Sequence, residues 1–477
     1  MGTSWRSITL ALTAIFLLQP VLAQAPSNSA SAALAQSTLP VGSCTSTIPC
    51  SNGACCNSKT GYCGYGDAFC TALAAGGPCS SNCDAKAQCG PNAPAGEEEC
   101  PLNVCCSQFG FCGTTQDFCG EGCTSNCNPA NPARCGSDAQ TALTKRIGYY
   151  EGWAAARSCD AWSPGNINVA SLTHVNFAFA YISSSFEVVE MTAGDSQLWT
   201  ETTALKSQNP SLKVFLSIGG WTFNNPPTAG IFSALVASEA NTNVFIKSVL
   251  GVMNAYGFDG IDIDWEYPVA EDRGGAKGDK ENYVNFISER TTPISSFTAP
   301  TSYWYLQNYD LPGMLAEGAA DWVNVMTYDL HGVWDSPADY IGSIVLAHTN
   351  LTEIMDAFQL YANVGIDAAK MVMGIGFYGR SFELVSDQCT TPGCPFAGAA
   401  PAGPCSANAG TLMFTEIEDI ISSVGTNALV FDEEAAVKYL VYNDIDWVSY
   451  DDQQTLAMKL QYANSICLIG TMIWSVD

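Results

Sequence analysis

DGIDIDWEYP, residues 259–268, sets four carboxylates, Asp259, Asp262, Asp264 and Glu266, among apolar and aromatic neighbours. Side chains alternate across a strand, so Ile261, Ile263 and Trp265 share one face while Asp262, Asp264 and Glu266 share the other. Acids two positions apart lie only ~6.6 Å from each other at ~3.3 Å rise per residue, and they repel unless one keeps a proton. On a surface strand they would simply meet water; on a buried strand a shared proton is a catalytic device. Tyr267 and Pro268 then turn the chain, which puts Glu266 at a strand's carboxyl end.

Working outward, apolar β-rich runs recur from Arg146 onward with helical stretches between them: RIGYYEGW, LTHVNFAFAYI, LKVFLSIGGW, FDGIDIDWEYP, FTAPTSYW, WVNVMTYD, KMVMGIGFYGRSF and TMIWSVD. Residues 243–257, NVFIKSVLGVMNAYG, show the helical partner, with Phe245, Val249, Val252 and Met253 on one stripe. Alternating strands and helices predict an α/β fold, a (β/α)8 TIM barrel over residues 145–477, whose chemistry sits at the carboxyl ends of its strands.

The 477 residues carry a formal charge of -28, which disfavours nucleic acid or an anionic membrane as partner. A neutral polymer is not repelled. Arg6, the apolar run from Ile8 to Leu18 and the small-residue site Val21-Leu22-Ala23 read as a signal peptide over residues 1–23, so a secreted protein with no span after cleavage is expected. The 22 cysteines agree with an oxidising destination. Three histidines, His174, His331 and His348, leave little room for a histidine-rich metal site, and neither metal nor cofactor is expected. Residues 24–43, rich in Ala and Ser, read as a flexible leader.

Two blocks of eight cysteines follow. Cys44, Cys50, Cys55, Cys56, Cys63, Cys70, Cys79 and Cys83 form the first, over 44–83. Cys89, Cys100, Cys105, Cys106, Cys112, Cys119, Cys123 and Cys127 form the second, over 89–127. Blocks this short cannot bury a sufficient core, so disulfides must hold them, although spacing alone does not choose the pairing. Cys105-Cys106 followed by SQFGFCG and then Phe118-Cys119 resembles the hevein-like chitin-binding module. That resemblance implies a sugar grip made by Ser107, Phe109, Phe111 and Phe118, with rings against sugar faces and a hydroxyl on the acetamido oxygen. The first block departs from it: Asn57 replaces the serine and Thr60 the first aromatic, leaving Tyr62 and Phe69, so weaker binding is expected there. Residues 128–144 read as a linker.

The large domain closely resembles glycoside hydrolase family 18, and its arrangement looks like a fungal killer-toxin-type chitinase. The resemblance rests on D-x-x-D-x-D-x-E, met by Asp259, Asp262, Asp264 and Glu266, with SIGGW, MTYD and MIWSVD in the expected order. It implies hydrolysis of β-1,4-linked N-acetylglucosamine polymers by a retaining, substrate-assisted route, one of the exceptions to the two-carboxylate rule. Glu266 would be the general acid and then base, Asp264 would orient the acetamido group, Asp262 would share a proton behind it, and Asp259 would be structural. Tyr328 would donate to the acetamido oxygen, Met326 and Asp329 would line the same subsite, and Trp474 would floor it. Tyr149, Trp153, Trp221, Tyr267, Tyr378 and Arg380 are further candidates for substrate contact. The expected partners are chitin and its oligosaccharides, bound by a monomer. The alternative is a non-hydrolytic chitin-binding lectin or toxin-docking subunit with a damaged barrel.

Between strand seven and the last helix, a stretch containing Cys389, Cys394 and Cys405 resembles an α+β insertion, expected over about 382–442. These three cysteines cannot all pair among themselves, so Cys135, Cys159 and Cys467 are the candidate partners. Asn350-Leu351-Thr352 is a possible glycan site. ERTTPISSF, residues 289–297, is shorter than in relatives, with Pro293 set to end any helix, and the final helix over strand eight is expected to be missing.

Overall fold

The computed structural model describes residues 42–135, 143–289, 294–336 and 341–477. The expected signal peptide, most of the leader and Pro293 lie outside these residues. The chain forms two compact units, Met1–Lys86 and Ala87–Asp477.

In the first unit, the strand Cys55–Asn57 pairs antiparallel with Tyr62–Gly64 on one side and Cys79–Ser81 on the other. Three-residue strands bury little, so cross-links carry the fold: Cys44–Cys56, Cys50–Cys63, Cys55–Cys70 and Cys79–Cys83. The second unit opens with a similar knot, in which Cys105–Cys106 pairs with Cys112–Gly113. Its disulfides join Cys89–Cys106, Cys100–Cys112, Cys105–Cys119 and Cys123–Cys127.

The barrel is built from β1 (Lys145–Glu151), β2 (His174–Ile182), β3 (Lys213–Gly219), β4 (Gly260–Asp264), β5 (Ile294–Ala299), β6 (Trp322–Val325), β7 (Met371–Gly376) and β8 (Gly470–Trp474). Each strand pairs in parallel with the next, and β8 pairs with β1, which closes the ring. Alternation divides each strand between two environments. Outward-facing residues such as Val175, Phe177, Ile261, Ile263 and Trp265 join the core under the helices. The lumen is filled by a separate cluster containing Ile147, Tyr149, Phe179, Phe215, Trp322, Met326, Val372 and Met472. The helix Glu239–Tyr256 buries Phe245 and Val249 as its periodicity predicts, and it ends at Gly257 in a left-handed cap.

Two strand boundaries differ from the sequence reading. Strand five begins at Ile294, and it stops where Pro300 offers no N–H to the ladder, so TSYW enters a helix at Tyr303–Leu306 instead of extending the strand. KMVMGIGFYGRSF is two strands, because the chain leaves the barrel after Gly376 and Tyr378–Leu384 becomes the centre of a second, antiparallel sheet. That sheet also contains Phe396–Ala399, Thr411–Met413, Val430–Asp432, Val437–Tyr442 and Asp446–Tyr450, with the helix Phe414–Val424 alongside. The insertion therefore spans 378–450, wider than 382–442. Its cysteines pair as Cys389–Cys394 and Cys159–Cys405, and Cys135 pairs with Cys467.

Candidate active site

At the middle of β4, Asp262 is wholly buried in the lumen and both its oxygens are saturated. Ser296 Oγ donates to Oδ1 at 2.7 Å and Asn324 Nδ2 at 3.1 Å, while Tyr149 Oη and Ser217 Oγ each donate to Oδ2 at 2.7 Å. Burial raises its pKa and these four donors oppose the rise. Asp264, one step nearer the carboxyl end, accepts a hydrogen bond from Thr298 Oγ1 at 2.6 Å. Burial first, then the neighbouring charges of Glu266 and Asp262, hold its pKa well above the usual carboxylate range. Both acids are thus pushed toward the protonated form, Asp264 with fewer donors and more negative charge around it.

Glu266 lies just beyond β4 and is buried. Burial pushes its pKa up to about 7, with Tyr267 and Arg273 opposing and Asp329 adding to the rise. Arg273 is fixed by donating from Nε to the Glu266 carbonyl, from Nη1 to Asn225 Oδ1 and from Nη2 to the Trp221 carbonyl. Gly219 lets the strand beneath approach: at φ +118° it passes so near β4 that a Cβ would come within 2.2 Å of the Asp264 carbonyl. The Gly220 N–H donates to that same carbonyl at 2.9 Å.

Around these acids the structure gathers most of the other candidates. Tyr328, its phenol held protonated by burial and by the charges of Asp264 and Glu266, directs its hydroxyl to Met472 Sδ at 3.7 Å. Trp474 stacks on Phe179 at 5.6 Å and is flanked by Tyr149 and Trp153. Met326 belongs to the same lumen cluster. Asp329 accepts from Tyr378 Oη at 2.6 Å and from Arg380 Nε and Nη2 at 2.7 and 2.6 Å. Burial alone would raise the Asp329 pKa, but Arg380 and His348 bring it below the ordinary range. Tyr267 stacks on Tyr305 at 4.2 Å. Trp221 is half-exposed beneath the Arg273 guanidinium, 3.6 Å from the ring centre.

Asp259 is not with them. At the opposite end of β4 it accepts from the Val214 N–H and pairs with Lys206, in keeping with a structural part. Sequence reasoning missed Ser217, Ser296, Thr298, Asn324, Arg273 and Phe179. The first four sit on β3, β5 and β6, and a polar residue inside an otherwise apolar barrel strand is the signal that could have found them.

In the second knot, Phe109 is 64% exposed, and Phe118 lies against Gly113, where a Cβ would strike its ring. Ser107 Oγ accepts from the Phe111 N–H at 3.2 Å, which leaves its own proton to donate. In the first knot, Tyr62 is 63% exposed and Phe69 covers Gly64. Asn57 is committed locally: Nδ2 donates to the Ala68 carbonyl, and Oδ1 accepts from the Lys59 and Thr60 N–H groups.

Residues 145–477 match the family described as Glycosyl hydrolases family 18. The chain belongs to that family. Residues 88–127 of this family 18 protein match a second family, Chitin recognition protein. It is similar to the secreted chitinase LysM12 of Penicillium expansum, 30% identical over 433 residues, covering 82% of this chain and 28% of the relative. Killer toxin subunits alpha/beta of Kluyveromyces lactis are 33% identical over 423 residues, covering 82% and 34%. The chain thus spans about a third of the length of these curated relatives. Among solved structures, the GH18 chitinase from Cycas revoluta in complex with (GlcNAc)3 matches with a TM-score of 0.59 and 29% identity, over 70% of this chain and 95% of that one. The Group IV chitinase of Ostrinia furnacalis matches with a TM-score of 0.61 and 28% identity, over 69% and 92%.

Proposed function

We propose that this family 18 protein is a secreted chitinase that cleaves β-1,4-linked N-acetylglucosamine polymers with retention of configuration. The observation that carries the reading is the buried acid series Asp262, Asp264 and Glu266 on one face of β4, in which burial and neighbouring charge raise the Asp264 pKa and Glu266, its own pushed up to about 7, can both give and take a proton. Glu266 donates its proton to the glycosidic oxygen as the bond to the anomeric carbon breaks. The substrate's own acetamido oxygen closes on that carbon from the other face, while Asp264 orients the acetamide and Tyr328 donates to its oxygen. Water, deprotonated by Glu266, then opens the cyclic intermediate from the face the leaving group vacated. Asp264 also supports the positive charge that develops, while Asp262 behind it shares a proton and tunes its neighbours' acidity. Trp474 floors the subsite, and Met326, Asp329, Tyr267, Tyr149, Tyr378 and Arg380 shape it.

In this reading residues 1–23 are a signal peptide, 44–83 and 89–127 are chitin-binding modules, and 145–477 is the catalytic barrel. Among the described residues no helix is long and apolar enough to cross a membrane. Ser107, Phe109, Phe111 and Phe118 grip insoluble chitin, with Tyr62 and Phe69 as a weaker second grip. The test is Glu266→Gln assayed on N-acetylglucosamine oligomers by product mass. Turnover should fall by at least a thousandfold with oligomer binding retained; substantial residual hydrolysis would overturn the assignment.

A further inference from the structure

Strand β1 begins at Lys145, at the rim of the barrel opposite Glu266. A parallel strand of six residues is ~20 Å long and, tilted by about 40° in a barrel, spans ~15 Å of its axis, so whatever closely precedes β1 arrives at the far end of the barrel from the acid. The second knot is found at that end, and it is packed, not tethered. The turn Pro101–Asn103 lies against the helix Leu351–Asn363, whose last residues lead into the start of β7. Leu102, nearly buried, belongs to the same continuous apolar core as Leu360, with Val364 packed against it. Asn103 Nδ2 donates to the Asn363 carbonyl at 3.0 Å, and the Ala130 N–H donates to Asn363 Oδ1 at 3.1 Å. Gln359 Nε2 completes the clasp on the Ala130 carbonyl. Beyond it, the Cys135 N–H donates to the Ser465 carbonyl and Cys135 is bonded to Cys467, just before β8.

Leu102 and Asn103 both take left-handed backbone, φ +55° and +51°. Two successive non-glycine residues hold that conformation only where surrounding contacts over-determine it. Here the consequence is to press Leu102 into the barrel's core and Asn103 onto Asn363. Phe109, on the same knot, remains exposed.

We infer that the second knot is a fixed outrigger, clamped to the barrel rim opposite the catalytic cleft, so that it grips a chitin chain other than the one being cut. This rests on the reading of residues 89–127 as chitin-binding. A stiff β-1,4 chain lying across the carboxyl rim does not bend around the barrel to reach Phe109. The enzyme therefore joins two chains, one held and one cleaved, where a flexible tether would let both sites share one.

Two measurements on the full chain test this. Hydrogen exchange followed by mass spectrometry should show the last turn of the helix Leu351–Asn363 exchanging at least tenfold faster in Leu102→Asp, with the disulfides of the knot intact. Asn103→Ala, which deletes only the polar clasp, should give a smaller increase at the same peptide and serves if Leu102→Asp does not fold. Unchanged exchange in both would overturn the docking. In the second, Glu266→Gln carrying Tyr62→Ala should cross-link suspended chitin nanocrystals, and excess soluble N-acetylglucosamine tetramer, by filling the cleft, should reduce cross-linking several-fold. Attachment without cross-linking would overturn the two-chain grip. If Phe109→Ala leaves attachment unaltered in that background, it is the chitin-binding reading of the knot that fails, while the exchange result stands by itself.

Discussion

Tyr149 Oη donates to Asp262 Oδ2 at 2.7 Å, tying the first barrel strand to the fourth through the middle of the lumen. The same phenol accepts from Asn324 Nδ2 at 3.0 Å, and Asn324 in turn donates to the other Asp262 oxygen. Strands one, four and six thus share one polar network inside an apolar barrel. A buried carboxylate with four donors is stable as an anion only while that network is whole. How readily Asp262 and Asp264 each hold a proton is set by neighbours as much as by the acids.

Tyr149→Phe should therefore impair chemistry more than folding. The ring that packs beside Trp474 is kept, while one hydrogen bond to a charged group is lost, a change worth ~1.5–3 kcal/mol. With less support, Asp262 competes with Asp264 for the proton, and kcat on soluble oligomers should fall by about tenfold to a hundredfold. The thermal midpoint and kcat would be measured together. An unaltered kcat would show that the network is merely structural.

The pH dependence follows from Glu266. Its first step needs the protonated form, which burial sustains up to about pH 7, so kcat/KM should decline on the alkaline side with an apparent pKa near that value. Arg273 lowers this pKa by its charge. Replacing it by an uncharged residue of similar length, Arg273→Met, should move the alkaline limb to higher pH, while Arg273→Lys should leave it close to its original position. A limb moving to lower pH in Arg273→Met would contradict the sign of that interaction.

The acid-bearing strand was legible because alternation is local: the parity of Asp262, Asp264 and Glu266 against Ile261, Ile263 and Trp265 lies within six consecutive residues and survives into the structure. The barrel's order was legible for the same reason. What the acids meet was not, since Ser217, Ser296 and Asn324 approach Asp262 through the register of three other strands, and register is a long-range property. Tyr378 shows a different limit. No composition change separates Gly376 from Tyr378, yet the first ends a parallel barrel strand and the second begins an antiparallel sheet.

Gly219 offers a stability test of the close packing beneath the site. At φ +118° an alanine is strained, and its Cβ would also meet the Asp264 carbonyl at 2.2 Å, which is backbone and cannot swing away. Gly219→Ala should cost on the order of 3 kcal/mol or more. It should lower the thermal midpoint by several degrees and remove most activity through displacement of Asp264. The exposed Gly165, in the short turn Pro164–Asn166, where a Cβ meets nothing within 4 Å, is the control that should tolerate alanine. Equal tolerance at both positions would refute the packing argument.

Besides Thr60 standing where the second knot has Phe109, the two knots differ in one committed side chain. Ser107 accepts one backbone N–H and keeps its own proton to donate, whereas Asn57 is bonded on both sides of its amide, its nitrogen to the Ala68 carbonyl and its oxygen to the Lys59 and Thr60 N–H groups. Exposed rings alone, Tyr62 in one knot and Phe109 in the other, do not distinguish them. Phe109→Ala should therefore reduce attachment to insoluble chitin by about tenfold, and Tyr62→Ala by less than half that factor. Attachment would be followed by depletion of protein from solution over a range of chitin loads. Cleavage of short soluble oligomers should be unaffected in either variant, because neither ring belongs to the barrel. A larger loss from Tyr62→Ala than from Phe109→Ala would mean that the hydroxyl of Ser107 does not decide which knot holds the polymer.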